Sequence, residues 1–250
     1  MQYGICHLSI VPVRIAPNDT TEMVSQLLYG DLFKIKEQRK YWIRIKITFD
    51  GQEGWINKKQ YQLLSEQDYN SLALEQETIL STDFISHIVT KESVFQPITA
   101  GARVDIASFL KHSHEGNALK PIQDKSKLVE TALIFLNAPC LWGGKTPFGV
   151  DCSGFTQIVY KINGFTLFRT TEKQATQGDA LSFIEESEPG DLAFFDNTEG
   201  IIDHVGIILK DNYIIHAHGH VRIDRIDHTG IFNVEEKIYS HKLRVIKKIA

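Results

Sequence analysis

The rhythm of apolar and polar positions changes between the front and the back of this 250-residue chain. In the front the period is two. Trp42, Arg44 and Lys46 alternate with Ile43, Ile45 and Ile47, which predicts a strand with one buried face. Val11 and Val13 predict a short strand and Leu27-Leu28 another, with Gly30-Asp31 turning into Leu32-Phe33-Lys34-Ile35. Asp50-Gly51 reads as a tight turn before the strand that starts at Gly54-Trp55-Ile56. Short strands this closely spaced predict a small barrel or meander. Ser65-x-x-Asp68 has the form of a capping box for a linking helix. From about 77 to 122 the pattern weakens. Val94-Phe95, Ile98 and Val104-Asp105-Ile106 read as strands, and His112-Ser113-His114-Glu115-Gly116-Asn117 as an exposed turn, in either a second small β module or a packed linker.

In the back half a helical period appears. Leu128, Val129, Ala132, Leu133, Phe135 and Leu136 keep one apolar stripe until Pro139. After the loop Trp142-Gly143-Gly144, the residues Phe155, Ile158, Val159 and Ile162 mark a second helix, with Asp151 as N-cap and Gly164 as stop. Pro189-Gly190-Asp191 turns into the strand Leu192 to Phe195. His204 to Ile208 and Tyr213 to Ala217 are two further strands joined at Asp211-Asn212. Helices packed on an antiparallel sheet make this half α+β.

Composition narrows the class only a little. Hydrophobic residues at 42% and charged residues at 23% are those of a soluble globular protein. A net charge of −4 leaves no nucleic-acid or anionic-membrane footprint, and no apolar run is long enough to span a bilayer. The opening Met1-Gln2-Tyr3-Gly4-Ile5-Cys6 lacks the basic-then-apolar form of a secretory signal. Cys6, Cys140 and Cys152 are an odd set without regular spacing, which fits a reducing compartment. The expectation is a cytoplasmic protein.

The candidate chemistry gathers on Cys152, the first residue of the second helix. Free N–H groups and the positive end of the helix dipole favour a thiolate there, so its pKa is expected below the reference of about 8.5. His204 and His216 lie on successive strands and can sit side by side on one face of a hairpin. His204 can then act as base and His216 as the group that orients it. A metal reading exists, because His216, His218 and His220 alternate. Gly219 and the turn-like continuation end the strand near Ala217, and no carboxylate or cysteine stands at a recognisable ligand spacing. Neither a metal nor an organic cofactor is expected.

Four blocks then carry a resemblance: Leu141-Trp142-Gly143-Gly144, Asp151-Cys152-Ser153-Gly154-Phe155, Pro189-Gly190-Asp191-Leu192, and His204-Val205-Gly206-Ile207 with His216-Ala217. In that order they resemble the NlpC family of papain-like cysteine peptidases, which cleave cell-wall peptides. Arg14-x-x-Pro17 and the segment Thr21 to Asp31 are similar to the bacterial SH3-like module of the γ-D-glutamyl-L-diamino acid endopeptidases. The resemblance implies an SH3-like module at 1–65, a linking helix with a degenerate second module or packed linker at 66–122, and a papain-like catalytic domain at 123–250. It implies Cys152 as nucleophile, His204 as base and His216 as orienting residue. Asp151, Ser153, Trp142 and Thr171 are implied in the substrate cleft. Glu22 is implied to meet the free amine of an L-alanyl terminus, with Tyr61 assisting it. Two departures stand out. Cys140 occupies the place of the family's oxyanion tyrosine, and Arg169-Thr170-Thr171 replaces its Arg-Asp-Ala/Ser segment. The expected function is cleavage of murein-derived peptides between γ-D-glutamate and the diamino acid, in recycling. The rivals are an acyltransferase or thioesterase on the same scaffold and a wall-peptide binding module.

Overall fold

The computed structural model describes residues 1–74 and 78–249, which fall into two compact units, 1–121 and 122–250. Each unit is described by itself.

In the first unit, β1 (Gln2–Ile5), β2 (Ile10–Arg14), β3 (Met23–Leu28), β4 (Leu32–Gln38), β5 (Trp42–Ile47), β6 (Glu53–Asn57) and β7 (Gln62–Leu64) form one antiparallel sheet in the order β3-β2-β6-β5-β4-β1-β7. The period-two pattern of β5 is realised directly. Ile43, Ile45 and Ile47 are buried while Arg44 and Lys46 are exposed. The isoleucines meet Val11, Val13, Leu27, Phe33 and Ile56 in one core. Gly30, at φ +85, makes the turn between β3 and β4. The helix α1 (Glu66–Leu74) begins at Ser65, whose Oγ accepts from the Asp68 amide at 3.0 Å and donates to Asp68 Oδ2 at 2.7 Å.

The strands β8 (Leu80–Ser81), β9 (Ile85–Val89), β10 (Phe95–Thr99), β11 (Ser113–Glu115) and β12 (Ala118–Leu119) complete this unit, with β9 between β10 and β11. Tyr69, Leu72, Ile88, Ile98, Val104 and Ile106 share a second core with Tyr3, Ile5, Tyr29 and Leu32 of the large sheet. Two expectations are corrected here. Val104-Asp105-Ile106 is a turn: the Asp105 carboxylate accepts from the Ile79 amide at 3.1 Å and from Arg103 at 2.5 Å, which bends the backbone. Conversely, residues 113–115 form a strand, because pairing Ser113 with Val89 and Glu115 with His87 satisfies their backbone groups despite polar side chains.

The second unit opens with α2 (Leu128–Leu133), followed by β13 (Lys145–Thr146), β14 (Gly149–Val150), α3 (Cys152–Ile162), α4 (Thr171–Gln174), β15 (Asp179–Leu181), β16 (Leu192–Asp196), β17 (Ile202–Ile208), β18 (Tyr213–His218), β19 (His220–Ile226), β20 (Gly230–Asn233) and β21 (Ile238–Lys248). The helix expected to reach Leu136 stops at Leu133. Beyond it the amides of Ile134, Phe135 and Leu136 bond three residues back, a tighter turn that leads into Asn137 at φ +68. The large sheet runs β15-β21-β16-β17-β18-β19-β20, and β21 also pairs with β20, so the sheet closes on itself. The unit is sheet-rich, and α3 is the one long helix among its described residues, lying on β17 and β18.

Candidate active site

The site begins where the chain enters α3. Asp151 is extended at ψ 172 and caps the helix, its Oδ1 accepting from the Gly154 amide at 2.6 Å. The same carboxylate receives Arg169 in a fork, Nη1 to Oδ1 at 2.9 Å and Nη2 to Oδ2 at 2.6 Å, and accepts from the Gly143 amide at 2.8 Å. Arg169 Nη1 also donates to Ser153 Oγ at 3.0 Å. One buried arginine thus ties the helix start to the loop before it. Gly154 lets the two approach, since a Cβ there would lie 2.1 Å from the Gly144 carbonyl.

Cys152 is the first residue of α3 and faces the beginning of β17. The ladder between β17 and β18 starts only at Gly206 opposite His216. Before that point the β17 backbone turns to the sulfur: the Asp203 carbonyl lies 3.7 Å from Sγ, and the Val205 amide points at it. His204 is the residue between these two contacts. Thr171 Oγ1, at the start of α4, lies 3.8 Å from the sulfur.

Behind His204 runs a chain of buried hydrogen bonds. His204 Nε2 lies 2.8 Å from His216 Nδ1, and His216 Nε2 lies 3.0 Å from Asp224 Oδ2. Arg222 closes the chain, Nη2 donating to Asp224 Oδ1 at 3.0 Å while Nη1 pairs with Glu235 Oε2 at 3.1 Å. His204, His216 and Asp224 are 7%, 0% and 3% exposed, so these bonds are made away from water. The sheet register explains the alignment. His216 stands opposite Gly206 on one side and Arg222 on the other, so His204 and Asp224 are its diagonal neighbours on the same face. Gly206 leaves the room, because a Cβ there would be 2.9 Å from that of His216.

The charges follow from these partners. Burial alone raises Asp224, but the hydrogen bonds from His216 and Arg222 overcome it and hold its pKa below the ordinary carboxylate value. Asp224 is therefore an acceptor, which places a proton on His216 Nε2 and leaves Nδ1 as a lone pair. His204 must then donate from Nε2, and its Nδ1 is left as a base. Burial, reinforced by the neighbouring His241, His216 and His218, holds His204 well below the usual imidazole pKa. Cys152 corrects the sequence expectation. Loss of solvent, together with the nearby Asp151 charge, pushes the thiol up to about 11, and the hydrogen bonds from Thr171, Val205 and the helix start offset only part of it. Burial thus favours the neutral thiol and the neutral imidazole, the starting states of general-base rather than preformed-thiolate chemistry.

A cysteine at a helix start against a strand carrying a histidine relay is papain-like geometry, and residues 137–241 match the NlpC/P60 family. Residues 137–241 form an NlpC/P60 domain, and the family is one of cysteine-type peptidases. Residues 13–60 match the bacterial dipeptidyl-peptidase Sh3 domain. The chain is 24% identical over 253 residues to a γ-D-glutamyl-L-lysine dipeptidyl-peptidase of Bacillus subtilis, covering 90% of this chain and 80% of that one. It is 25% identical over 240 residues to dipeptidyl-peptidase 6 of Lysinibacillus sphaericus, covering 80% and 82%. The crystal structure of an NlpC/P60 family protein from Bacillus cereus has the same fold, with a TM-score of 0.82 at 19% identity over 99% of both chains.

Around the NlpC/P60 thiol the other expected residues take distinct places. Asp151 and Ser153 flank Cys152, with polar atoms engaged by Arg169. Trp142 is 70% exposed in the loop held by Asp151. Cys140, exposed, is bridged to Val150 through the backbone and donates its amide to the Gly219 carbonyl at 3.0 Å. Arg169 keeps the ion pair to the helix cap, and Gln174, on α4, binds the Ser153 carbonyl at 2.9 Å. Glu22 and Tyr61 belong to the first unit. Glu22 is exposed just before β3, and Tyr61 packs edge-on against Phe33 at 5.6 Å. The sequence reading missed Asp224, Arg222 and His241. Arg222-x-Asp224 was visible as charge at alternate positions of a strand, a signal that could have found those two, whereas nothing in the pattern marks His241.

Proposed function

We propose that the protein is a cysteine endopeptidase of murein-derived peptides, cutting the bond between γ-D-glutamate and the diamino acid behind a free N-terminal L-alanine. The observation that carries this reading is the relay from Asp224 through His216 and His204, which ends at the residue flanked by the two backbone contacts of the Cys152 sulfur. The similarity to a γ-D-glutamyl-L-lysine dipeptidyl-peptidase of Bacillus subtilis supports the substrate class.

In this reading His204 Nδ1 takes the Cys152 proton as the sulfur attacks the γ-glutamyl carbonyl carbon. The oxyanion is met by the Cys152 backbone N–H, with Cys140 standing in the family's tyrosine position. The C–N bond breaks, His204 returns the proton to the leaving amine, and a thioester remains. Water then attacks the thioester while giving a proton to His204, and the thiol is restored. Asp224 stays ionised throughout and stabilises the imidazolium through His216. Acyl transfer of this kind uses no metal or organic cofactor.

The front unit supplies selectivity in the proposal. Glu22 is the carboxylate offered to the α-ammonium of L-alanine, a charge-assisted bond that an N-acylated or glycan-linked peptide could not make. That preference suits recycling of released peptides in the cytoplasm. The test is cleavage of free L-Ala-γ-D-Glu-diamino acid peptides, N-acetylated versions and intact sacculi, read by mass spectrometry. Free peptides should be cut, and Glu22→Gln should weaken them by about 1.5–3 kcal/mol, the worth of a hydrogen bond to a charge. Cleavage of sacculi as fast as free peptide would overturn the free-amine requirement and the recycling role.

A further inference from the structure

The histidine relay has a neighbour that proton transfer does not use. His241, on β21, stacks on His204 with ring centroids 4.0 Å apart and an interplanar angle of 24°. One ring nitrogen from each of His204, His216 and His241 falls within 4.8 Å of the others. Ser240 Oγ holds His241 Nδ1 at 2.8 Å, which fixes that ring.

The surroundings suit a cation of particular chemistry. His216 donates its far nitrogen to Asp224, and a carboxylate behind an imidazole is the usual support of a metal-ligating histidine. The cluster opens on a cleft of about 790 Å³ lined by His204 and His241 together with Asp196, Glu199 and Asp203. Asp196 Oδ1 is buried on that wall with no hydrogen-bond partner among the described residues. Acidic walls raise the local concentration of cations. Three imidazoles and no carboxylate in the inner set select a borderline transition metal over magnesium or calcium.

We propose that His204, His216 and His241 form a binding site for a divalent transition-metal ion of the zinc type, and that occupancy switches the peptidase off. To ligate, His204 must present the Nε2 lone pair, so the proton it carries there moves through solvent to Nδ1. The nitrogen that would accept the Cys152 proton is then already protonated. The binding claim stands apart from the proposed peptide cleavage, whereas the inhibition claim rests on it.

The binding experiment uses Cys152→Ala, stripped with chelator and titrated with cobalt(II) while its visible ligand-field bands are followed. One ion per chain is expected. His241→Gln should weaken binding by more than about 100-fold, and Asp224→Asn by about 10–100-fold, the range for a partner behind a ligand. His218→Ala, which alters a histidine outside the inner set, should keep it. Thermal unfolding with and without cobalt accompanies each variant, and bound metal should raise the midpoint of every folded variant that retains the site. A separate arm measures zinc inhibition of peptide cleavage relative to each variant's own metal-free rate. Absence of binding by Cys152→Ala, with cobalt held only by the thiol of the unaltered protein, would overturn the proposal. So would unchanged affinity in a folded His241→Gln. Binding without inhibition would overturn the switch and leave the site.

Discussion

β5 and β18 are strands of equal length in two antiparallel sheets, and they use their residues in opposite ways. β5 buries every second side chain, all of them isoleucine, with Trp42 half-buried and Arg44 and Lys46 exposed between them. β18 buries Ile214, Ile215, His216 and Ala217 in succession, because α3 covers its sheet and the apolar cluster of Phe195, Ile208 and Ile214 lies within it. An imidazole in such a place must have both nitrogens satisfied, and His204 and Asp224 do so. The first sheet spends its interior on stability; the second keeps polar groups dry enough to hold one defined set of protons.

That contrast can be broken at several sizes of effect. Cys152→Ala should abolish peptide hydrolysis while far-UV circular dichroism stays unchanged, since a small side chain at a helix start packs equally well. Retained hydrolysis would remove the thiol from the chemistry. Asp224→Asn should lower kcat by about 10²–10⁴-fold, because an amide can donate and thereby reverse the tautomer of His216. Full activity in that variant would reduce Asp224 to packing. In the other sheet, Ile45→Ala should cost about 2–5 kcal/mol in denaturant unfolding. The same substitution should leave the pH profile of cleavage where it was.

Two smaller effects sharpen the comparison. His204, His216 and His241 are held below the ordinary 6.5 by burial, so the unfolded chain takes up protons first as pH falls. Stability of the catalytic unit should therefore be full above that value and decline below it, which midpoint measurements across pH 5–8 at roughly constant ionic strength would register. A flat profile would mean that these rings are not neutral in the fold. Arg44→Ala should change stability by less than about 0.5 kcal/mol, since its bond to Glu53 at 2.8 Å is largely exposed.

The same contrast explains what could be read from the sequence. Ile43, Ile45 and Ile47 alternate, and alternation is all that β5 needs. Asp151 before Cys152, and Gly164 after the apolar stripe, mark α3 by local rules alone. His204 and His216 were legible because each opens or nearly closes an apolar run. Asp224 was not, since Val221 and Ile223 would ordinarily mark the buried face of β19. The structure instead leaves Ile223 38% exposed and buries Asp224, because the relay and Arg222 satisfy the carboxylate. His241 comes from a strand whose alternation gives no sign of a partner. The raised thiol pKa was equally hidden: the helix start favours a thiolate, but desolvation outweighs it, and desolvation is a property of the assembled unit.

The central claim is that Asp224 sets the protons of the relay so that His204 Nδ1 is the base facing Cys152. Nitrogen-15 spectra of histidine-labelled, chelator-treated protein at neutral pH test it most directly, with His204→Gln and His216→Gln assigning the signals. The account predicts that His204 and His216 are both neutral and both carry their proton on Nε2. A His204 signal with the proton on Nδ1, or an imidazolium at either position, would contradict it.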